Sequence, residues 1–505
     1  MPFNSYEFLV LFLPATFVAF AITQRFGGWS AAFAILAVAS LVFYAQLSMQ
    51  LLAVLLVSVI SNYVIGSVLT RSTQTGQPAH KLLIAAIVGN IFALGYFKYT
   101  NFFVDIANQV TGSGFDHFSI ILPIGISFYT FIQIGYLLEA HGGRAKQTSI
   151  VKYTTFATFF PYITAGPLVA QKEIFDQMDN RTDSALDGRR IALGLTIFAM
   201  GLFKKVVFAD SIAPYANLAF DGVAGGMMID PVTAWTGSLA YTMQLYFDFS
   251  GYSDMAVGLG VIFGLKLPLN FNSPLKAISI SDFWQRWHIT MTRFFTNYVF
   301  SPMAMNGMRK AIQKNLPAFP RFVFAGGWPI VFTMLVAGIW HGSGWTFVFY
   351  GLLHGVAIAI NNAWKQFNFP RVPPAAGWFL TMAVVVSGLV IFRSADMATA
   401  GSILASMWGV SLITGIGAGE VVTLYIAGAW QIIVPLGVIV LAMPNTQEIL
   451  SRDWVSTDTK PQIMSRFTKF VTWKPNAGWA FLVAGLLVLA FSNIGSDSSF
   501  LYYDF

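Results

Sequence analysis

The sequence predicts an all-α polytopic membrane protein, one integral-membrane domain spanning residues 1–505, and three observations carry that prediction. Of the 505 residues, 56% are hydrophobic and only 10% are charged, against about 25% charged in a soluble domain. Apolar runs of roughly 20 residues, the length that crosses about 30 Å of hydrocarbon, recur from one end of the chain to the other. The basic residues gather in the short loops between those runs. No fixed-period repeat, low-complexity tract or linker divides the chain.

In order, the apolar runs lie near 6–23, 29–46, 51–69, 82–97, 119–138, 191–208, 232–247, 254–265, 327–346, 346–361, 376–392, 421–443 and 477–494. Several are short, so about ten to thirteen are expected to span. The first has no basic segment before it and no small-residue cleavage pattern after it, and it reads as a retained helix. A net charge of +7 would raise nucleic-acid binding in a soluble protein. Here the positive-inside bias explains it: Arg71 and Lys81, then Arg144, Lys146 and Lys152, then Arg189 and Arg190, then Arg309, Lys310, Lys314 and Arg321, then Lys460, Arg466, Lys469 and Lys474 mark cytoplasmic loops. Residues 210–230 and the tail after Phe491 carry acidic residues and no lysine or arginine, so they are expected outside, as is the start of the chain. With no cysteine, the chain offers no disulfide, thiolate metal site or Cys-acyl intermediate, and any thioester belongs to a partner.

Two irregular stretches stand out. Phe159-Phe160-Pro161-Tyr162-Ile163-Thr164-Ala165-Gly166-Pro167 is apolar but broken by two prolines and a glycine. Backbone of that kind at membrane depth has to be buried in protein or line a cavity, so it reads as a re-entrant segment or else as an interfacial loop. Asp248-Phe249-Ser250-Gly251-Tyr252-Ser253-Asp254 places two carboxylates in an apolar region. Either they lie in the membrane and meet water or a cation, or the helix breaks there at the interface.

Ser281–Tyr298, SDFWQRWHITMTRFFTNY, carries the densest chemistry. Placed on one helix at 100° per residue, Phe283, Trp284, Trp287, Met291, Phe294, Phe295 and Tyr298 share an arc of about 120°, with His288 at its edge. Asp282, Arg286, Arg293 and Asn297 fall opposite, with Ser281 as the cap. Arg286 and Arg293 suit a phosphate-bearing donor, or the phosphates of a lipid surface. A second histidine, His341, ends fourteen uncharged residues, Gly327–Trp340, and precedes Gly342 and Gly344. Polar groups at membrane depth are costly and mark function. An imidazole kept neutral by apolar surroundings is ready to accept a proton from a hydroxyl, although a lone buried histidine is more often structural. His354, thirteen residues on, falls on another helix face and reads as structural.

At these residues the chain resembles a known family. Tyr246–Ala256, the Asn270-Phe271-Asn272-Ser273-Pro274 run, Asp282–Thr290, and Gly338-Ile339-Trp340-His341-Gly342 with Trp345-Thr346-Phe347 are similar in order and spacing to the bacterial membrane-bound O-acyltransferases. The likeness is nearest to the alginate O-acetylation membrane subunit and other exopolysaccharide acetylation proteins, and more distant to the teichoic acid D-alanyl transferase. It covers nearly the whole chain. It implies a ring of tilted helices around a thin centre with re-entrant and amphipathic cytoplasmic helices, a cytoplasmic funnel for a thioester donor, and an outer opening for the acceptor. By resemblance, His341 is the family's essential histidine and His288 its second active-site histidine. After Tyr298 the relatives run into a Gly-Gly-Asn-Arg type loop, whereas this chain reads Val299–Gly307, so no donor contacts carry over there.

The expected reaction is O-acyl transfer, most simply of acetyl, from a cytoplasmic acetyl-CoA or acyl-carrier-protein thioester to a polysaccharide outside a bacterial inner membrane, with D-alanyl transfer as the runner-up. His341 acts as base, and His288 or a backbone amide beside Gly342 stabilises the oxyanion. Asp282, Trp284, Trp287 and Trp340 are expected to join Arg286 and Arg293 in holding substrate. No metal or bound cofactor is called for, and the expected partners are a periplasmic acetyltransferase or esterase-like protein, the polysaccharide and the bilayer. The tail, Phe500–Phe505, is similar to aromatic C-termini of the polysaccharide-acetylating relatives. It makes Tyr502 either an acyl carrier at the outer opening or an interfacial anchor. Two other classes fit less well. A secondary transporter wants matching interrupted segments in two halves, and a polyprenyl-linked glycosyltransferase wants clustered outer carboxylates, where only Asp210, Asp221 and Asp230 are scattered.

Overall fold

The computed structural model describes residues 2–181, 183–410, 421–450, 471–495 and 500–501. Every regular element among them is helical, which pairs backbone groups within each segment where no water is present to satisfy them. A π-helical turn, Glu7–Phe12, leads into α1 (Leu13–Leu47), followed by α2 (Met49–Gln74), α3 (His80–Thr111), α4 (Ile126–His141), α5 (Ile150–Thr158) and α6 (Gln171–Asp179). Then come α7 (Gly188–Phe203), α8 (Asp210–Ala224), α9 (Pro231–Ile262), α10 (Ile280–Trp284), α11 (Ile289–Phe295), α12 (Ser301–Gln313) and α13 (Ala318–Phe322). The rest are α14 (Trp328–His341), α15 (Trp345–Gln366), α16 (Pro374–Arg393), α17 (Met397–Met407), α18 (Val421–Ala442), α19 (Thr446–Ile449) and α20 (Ala477–Ser492).

Seven segments among the described residues are long and apolar enough to cross a membrane: Glu7–Leu47, Met49–Gln74, His80–Thr111, Gly188–Ala224, Ala318–His341, Trp345–Gln366 and Pro374–Arg393. Three shorter apolar helices, Met397–Met407, Ile426–Ala442 and Ala477–Ser492, join them. The chain is a multi-pass membrane protein. Within α1 the chain turns back at Gly28, whose φ of 75° only glycine adopts freely. The reversal brings the Phe12 ring to 5.7 Å from Phe43, so the two runs at 6–23 and 29–46 are the arms of a hairpin.

The centre of the bundle is α9, buried along nearly its whole length. Of the two readings of Asp248 and Asp254, the paired one holds. Lys205 reaches Asp248 at 2.7 Å and Lys204 reaches Asp254 at 2.6 Å. With both charges matched from the junction between α7 and α8, α9 runs unbroken and the two apolar runs flanking these carboxylates form one helix. The 159–169 stretch is buried throughout, as a re-entrant segment must be. Its backbone is met by side chains: Phe160 N donates to Ser40 Oγ at 3.0 Å and Leu168 N to Thr290 Oγ1 at 2.9 Å.

One expectation fails. Residues 281–298 do not form a single helix: α10 ends at Trp284, α11 starts at Ile289, and His288 between them takes the left-handed conformation, φ 43° and ψ 51°. The cap is Ser279, whose side chain accepts from Asp282 N at 3.2 Å; Ser281 instead donates to Asn361 at 2.8 Å. The arc drawn for one helix therefore does not describe how these side chains are placed.

Candidate active site

α14 and α15 form a tight hairpin whose turn, Gly342–Gly344, is buried at Gly342 and reaches the surface at Ser343. A Cβ at Gly338 would lie 2.8 Å from Gly351 Cα, and a Cβ at Gly351 would lie 3.1 Å from Gly338 Cα, so glycine at both positions sets the close approach. His341, the last residue of α14, is buried. A helix end leaves carbonyls without intrahelical partners, and here Lys98 from the middle of α3 supplies one donor to both of the last two: its Nζ is 2.7 Å from the Trp340 carbonyl oxygen and 2.7 Å from that of His341. Tyr99 donates to the Ile339 carbonyl, also at 2.7 Å. The His341 ring is enclosed by Trp340, Phe392 and Tyr350, with centroids at 4.9, 5.3 and 6.2 Å.

His288 is held differently. It is fully buried, and the residues around it are pinned by Asn270. The Asn270 carbonyl accepts from Ile289 N at 3.0 Å, while its side-chain oxygen accepts from Thr290 Oγ1 at 2.6 Å and lies 3.4 Å from His288 Nδ1. A non-glycine residue in left-handed backbone stores strain that surrounding contacts have to hold, and such residues cluster at functional sites. The two histidines come together, ring centroids 6.4 Å apart.

Two pockets approach them from opposite ends of α4. One, of about 90 Å³, is lined by Lys98, residues 122–128, Thr164, Trp340 and His341. The other, of about 200 Å³, lies along α4 from Phe131 to Glu139 and includes Glu173, Thr290, Arg293, Asn297 and Tyr298. Between them stands an aromatic partition: Trp340 meets Phe131 at 5.3 Å and Phe128 at 5.4 Å, and lies 6.0 Å from His288. Two buried imidazoles with a pocket on either side of the partition fit a group passed between ligands that enter separately.

Residues 41–393 match the MBOAT, membrane-bound O-acyltransferase, family. The chain is 36% identical over 450 residues to a peptidoglycan O-acetyltransferase of Helicobacter pylori, covering 81% of this chain and 80% of that protein. It is 35% identical to a probable alginate O-acetylase of Pseudomonas aeruginosa, over 85% of this chain and 81% of that one. A teichoic acid D-alanyltransferase of Bacillus subtilis is 28% identical over 53% of this chain and 66% of its own length. The chain belongs to the membrane-bound O-acyltransferase family. It is an acyltransferase.

Of the residues expected to hold substrate, this acyltransferase brings Trp340 to the first pocket and Arg293 to the second. Arg293 grips Glu173 through both carboxylate oxygens, at 2.7 and 3.1 Å. The other four meet neighbouring side chains instead. Arg286 pairs with Asp282 at 2.7 Å and donates to the Asn272 carbonyl at 3.3 Å. Trp284 Nε1 donates to His354 Nδ1 at 3.3 Å. Trp287 stacks on Phe283 at 5.6 Å and meets Phe271 edge-on at 5.0 Å. None of these four lines either pocket. Tyr502 lies outside the described residues. Sequence reasoning passed over Lys98 and Asn270. The first carried a signal, a lysine at the end of a long apolar run and followed by more apolar sequence; the second stood in the 270–274 motif, but nothing in its type announces a pin for a histidine 18 residues away.

Proposed function

We propose that this chain moves an acetyl group from a cytoplasmic thioester, acetyl-CoA or an acyl carrier protein, to the outer side of a bacterial inner membrane, for O-acetylation of a cell-envelope polysaccharide. The observation that carries the reading is a pair of buried histidines, ring centroids 6.4 Å apart, beside a partition with one pocket on each side, His341 lining the first and Thr290, two residues from His288, lining the second. The pocket holding Arg293 opens beside the basic loop with Arg144 and Lys146, the end expected in the cytoplasm, and suits the donor. The pocket holding Lys98 and His341 lies toward the other end and suits the acceptor.

In the reaction, an acceptor hydroxyl gives its proton to the His341 imidazole as its oxygen attacks the thioester carbonyl. The carbonyl oxygen takes on negative charge, which a His288 N–H or a backbone amide near Gly342 stabilises. Collapse breaks the carbon–sulfur bond, and the departing thiolate takes up the proton from His341. The acceptor at this step is Tyr502, whose phenol ester is then handed to a periplasmic acetyltransferase or esterase-like partner that modifies the polymer. The names of the Helicobacter and Pseudomonas relatives, a peptidoglycan and an alginate acetylating protein, support a polymer as final acceptor.

The test is mass spectrometry of the envelope polymers from cells carrying wild type or His341→Ala, matched for protein in the membrane. Loss of polymer O-acetyl groups in the variant is expected. Loss of D-alanyl groups instead would transfer the mechanism to that acyl group, and an unchanged polymer would refute the assignment.

A further inference from the structure

Outside the lining of both pockets, the interior holds a charge that the reaction does not use. Lys205 is buried between two carboxylates, 2.7 Å from Asp248 and 2.7 Å from Asp210, and the side chains of Lys205 and Asp248 are each only 2% exposed. Buried ions are costly unless paired and hydrogen-bonded on every side, and here the tail segment completes the shell. Leu501 N donates to the second oxygen of Asp248 at 3.2 Å, across 253 positions of sequence. The Phe500 ring stands over the Lys205 ammonium, 5.1 Å from centroid to Nζ, a cation–π contact that strengthens with desolvation. The same ring meets Tyr252 edge-on at 4.6 Å and is 1% exposed.

An aromatic anchor at a membrane surface keeps its ring at the headgroup level. Phe500 does the reverse: after α20 ends at Ser492, the chain returns to the core of the bundle. Its seat adjoins the acceptor pocket, because the Tyr252 hydroxyl shares a 2.5 Å hydrogen bond with Thr164 Oγ1, and Thr164 lines that pocket together with His341.

We propose that the Lys205–Asp248 ion pair is a docking seat for the tail segment, and that Lys205, Asp248 and Phe500 are positioning residues that fix where Tyr502 begins relative to the acceptor pocket. The proposal rests on Tyr502 as acyl carrier for its purpose, though not for its geometry. One residue spans at most about 3.6 Å, so holding Leu501 limits the volume Tyr502 can search. The partners identify the seat by chemistry: the carboxylate takes the backbone N–H and the ammonium takes the ring.

Because the chain contains no cysteine, Tyr503→Cys places a lone thiol one residue beyond Tyr502. The experiment measures maleimide labelling of that thiol in the purified full-length protein, alongside polymer acylation in cells. Phe500→Ala and, separately, Asp248→Asn in this background are expected to raise the labelling rate about tenfold, the size of one lost cation–π contact or charged hydrogen bond, and to lower acylation. Phe500→Ala leaves the ion pair intact, so it reports even where Asp248→Asn fails to accumulate. Labelling that does not change with Phe500→Ala would overturn the seat, and faster labelling with full acylation would overturn the positioning role. Tyr502→Phe separates the underlying reading: if that variant still acylates polymer, the carrier reading fails alone, and the labelling rates still decide the seat.

Discussion

The two histidines meet at one place but are held in opposite ways. His341 ends a regular helix, packed against its neighbour through Gly338 and Gly351 and capped by one lysine from a distant span. His288 sits in a break between two short helices, in left-handed backbone that Asn270 and Thr290 keep in place. A base that has to stay put as a proton arrives is served by a helix end, since every atom before it is fixed by the helix. A group that has to aim an N–H at one oxygen is served by a strained turn, which fixes direction through its backbone angles. The difference predicts where each half breaks: the His341 half at its cap, the His288 half at its pins.

The largest effect tests the aimed imidazole. His288→Ala is expected to lower turnover by about 10²-fold or more with the protein still folded, the cost of losing one oxyanion donor; full turnover with unchanged donor affinity would make His288 a structural residue. Next comes the cap. Lys98→Met removes the donor from both carbonyls at the end of α14, and because a misplacement of about 1 Å can cost 10²-fold, turnover is expected to fall by roughly tenfold to a hundredfold while KM for the donor stays the same. Lys98→Arg, which restores the charge and its donors, should recover part of the loss; a loss equal to that of Lys98→Met would count against capping.

A smaller, differently shaped effect belongs to the donor pocket. Arg293→Gln is expected to raise the donor KM several-fold with kcat little changed, since the guanidinium lies in the pocket rather than beside the two imidazoles. The reverse split would move Arg293 into the chemistry. The smallest effect on activity is expected at Trp284, which the structure places against His354. Trp284→Phe should cost about 1–3 kcal/mol of stability by leaving the buried imidazole without its donor, seen as a lower thermal unfolding midpoint. Turnover per folded molecule should not change, and a specific loss of donor binding would return Trp284 to the substrate.

Much of this was legible in the sequence because it depends on local pattern. Apolar length and the placement of lysines and arginines give the helical spans, and fourteen uncharged residues ending at His341, followed by Gly342 and Gly344, mark a histidine deep in apolar sequence where backbone can approach closely. The two carboxylates in Asp248–Asp254 were readable as a need for cations or water, although not as a need for Lys204 and Lys205 in particular, because those pairings join segments 50 and 43 positions apart. The break at His288 was not legible. Periodicity favours one helix through 281–298, and what interrupts it is a tertiary contact, Asn270 binding the backbone of Ile289 and the side chain of Thr290. That break reassigns the arginines and tryptophans. On one helix, Arg286 and Arg293 face the same side; across a turn they part, one to Asp282 and one to Glu173.

The central claim is that His341 and His288 act on one reacting carbonyl. It is tested most directly by the turnover of His341→Ala, His288→Ala and the double variant, measured on purified protein with labelled thioester donor. Each single variant is expected to lose kcat with the donor KM unchanged, and the double variant to be no faster than His341→Ala, as for groups that act in the transition state. Full kcat in either single variant, or a loss confined to the donor KM, would contradict the account.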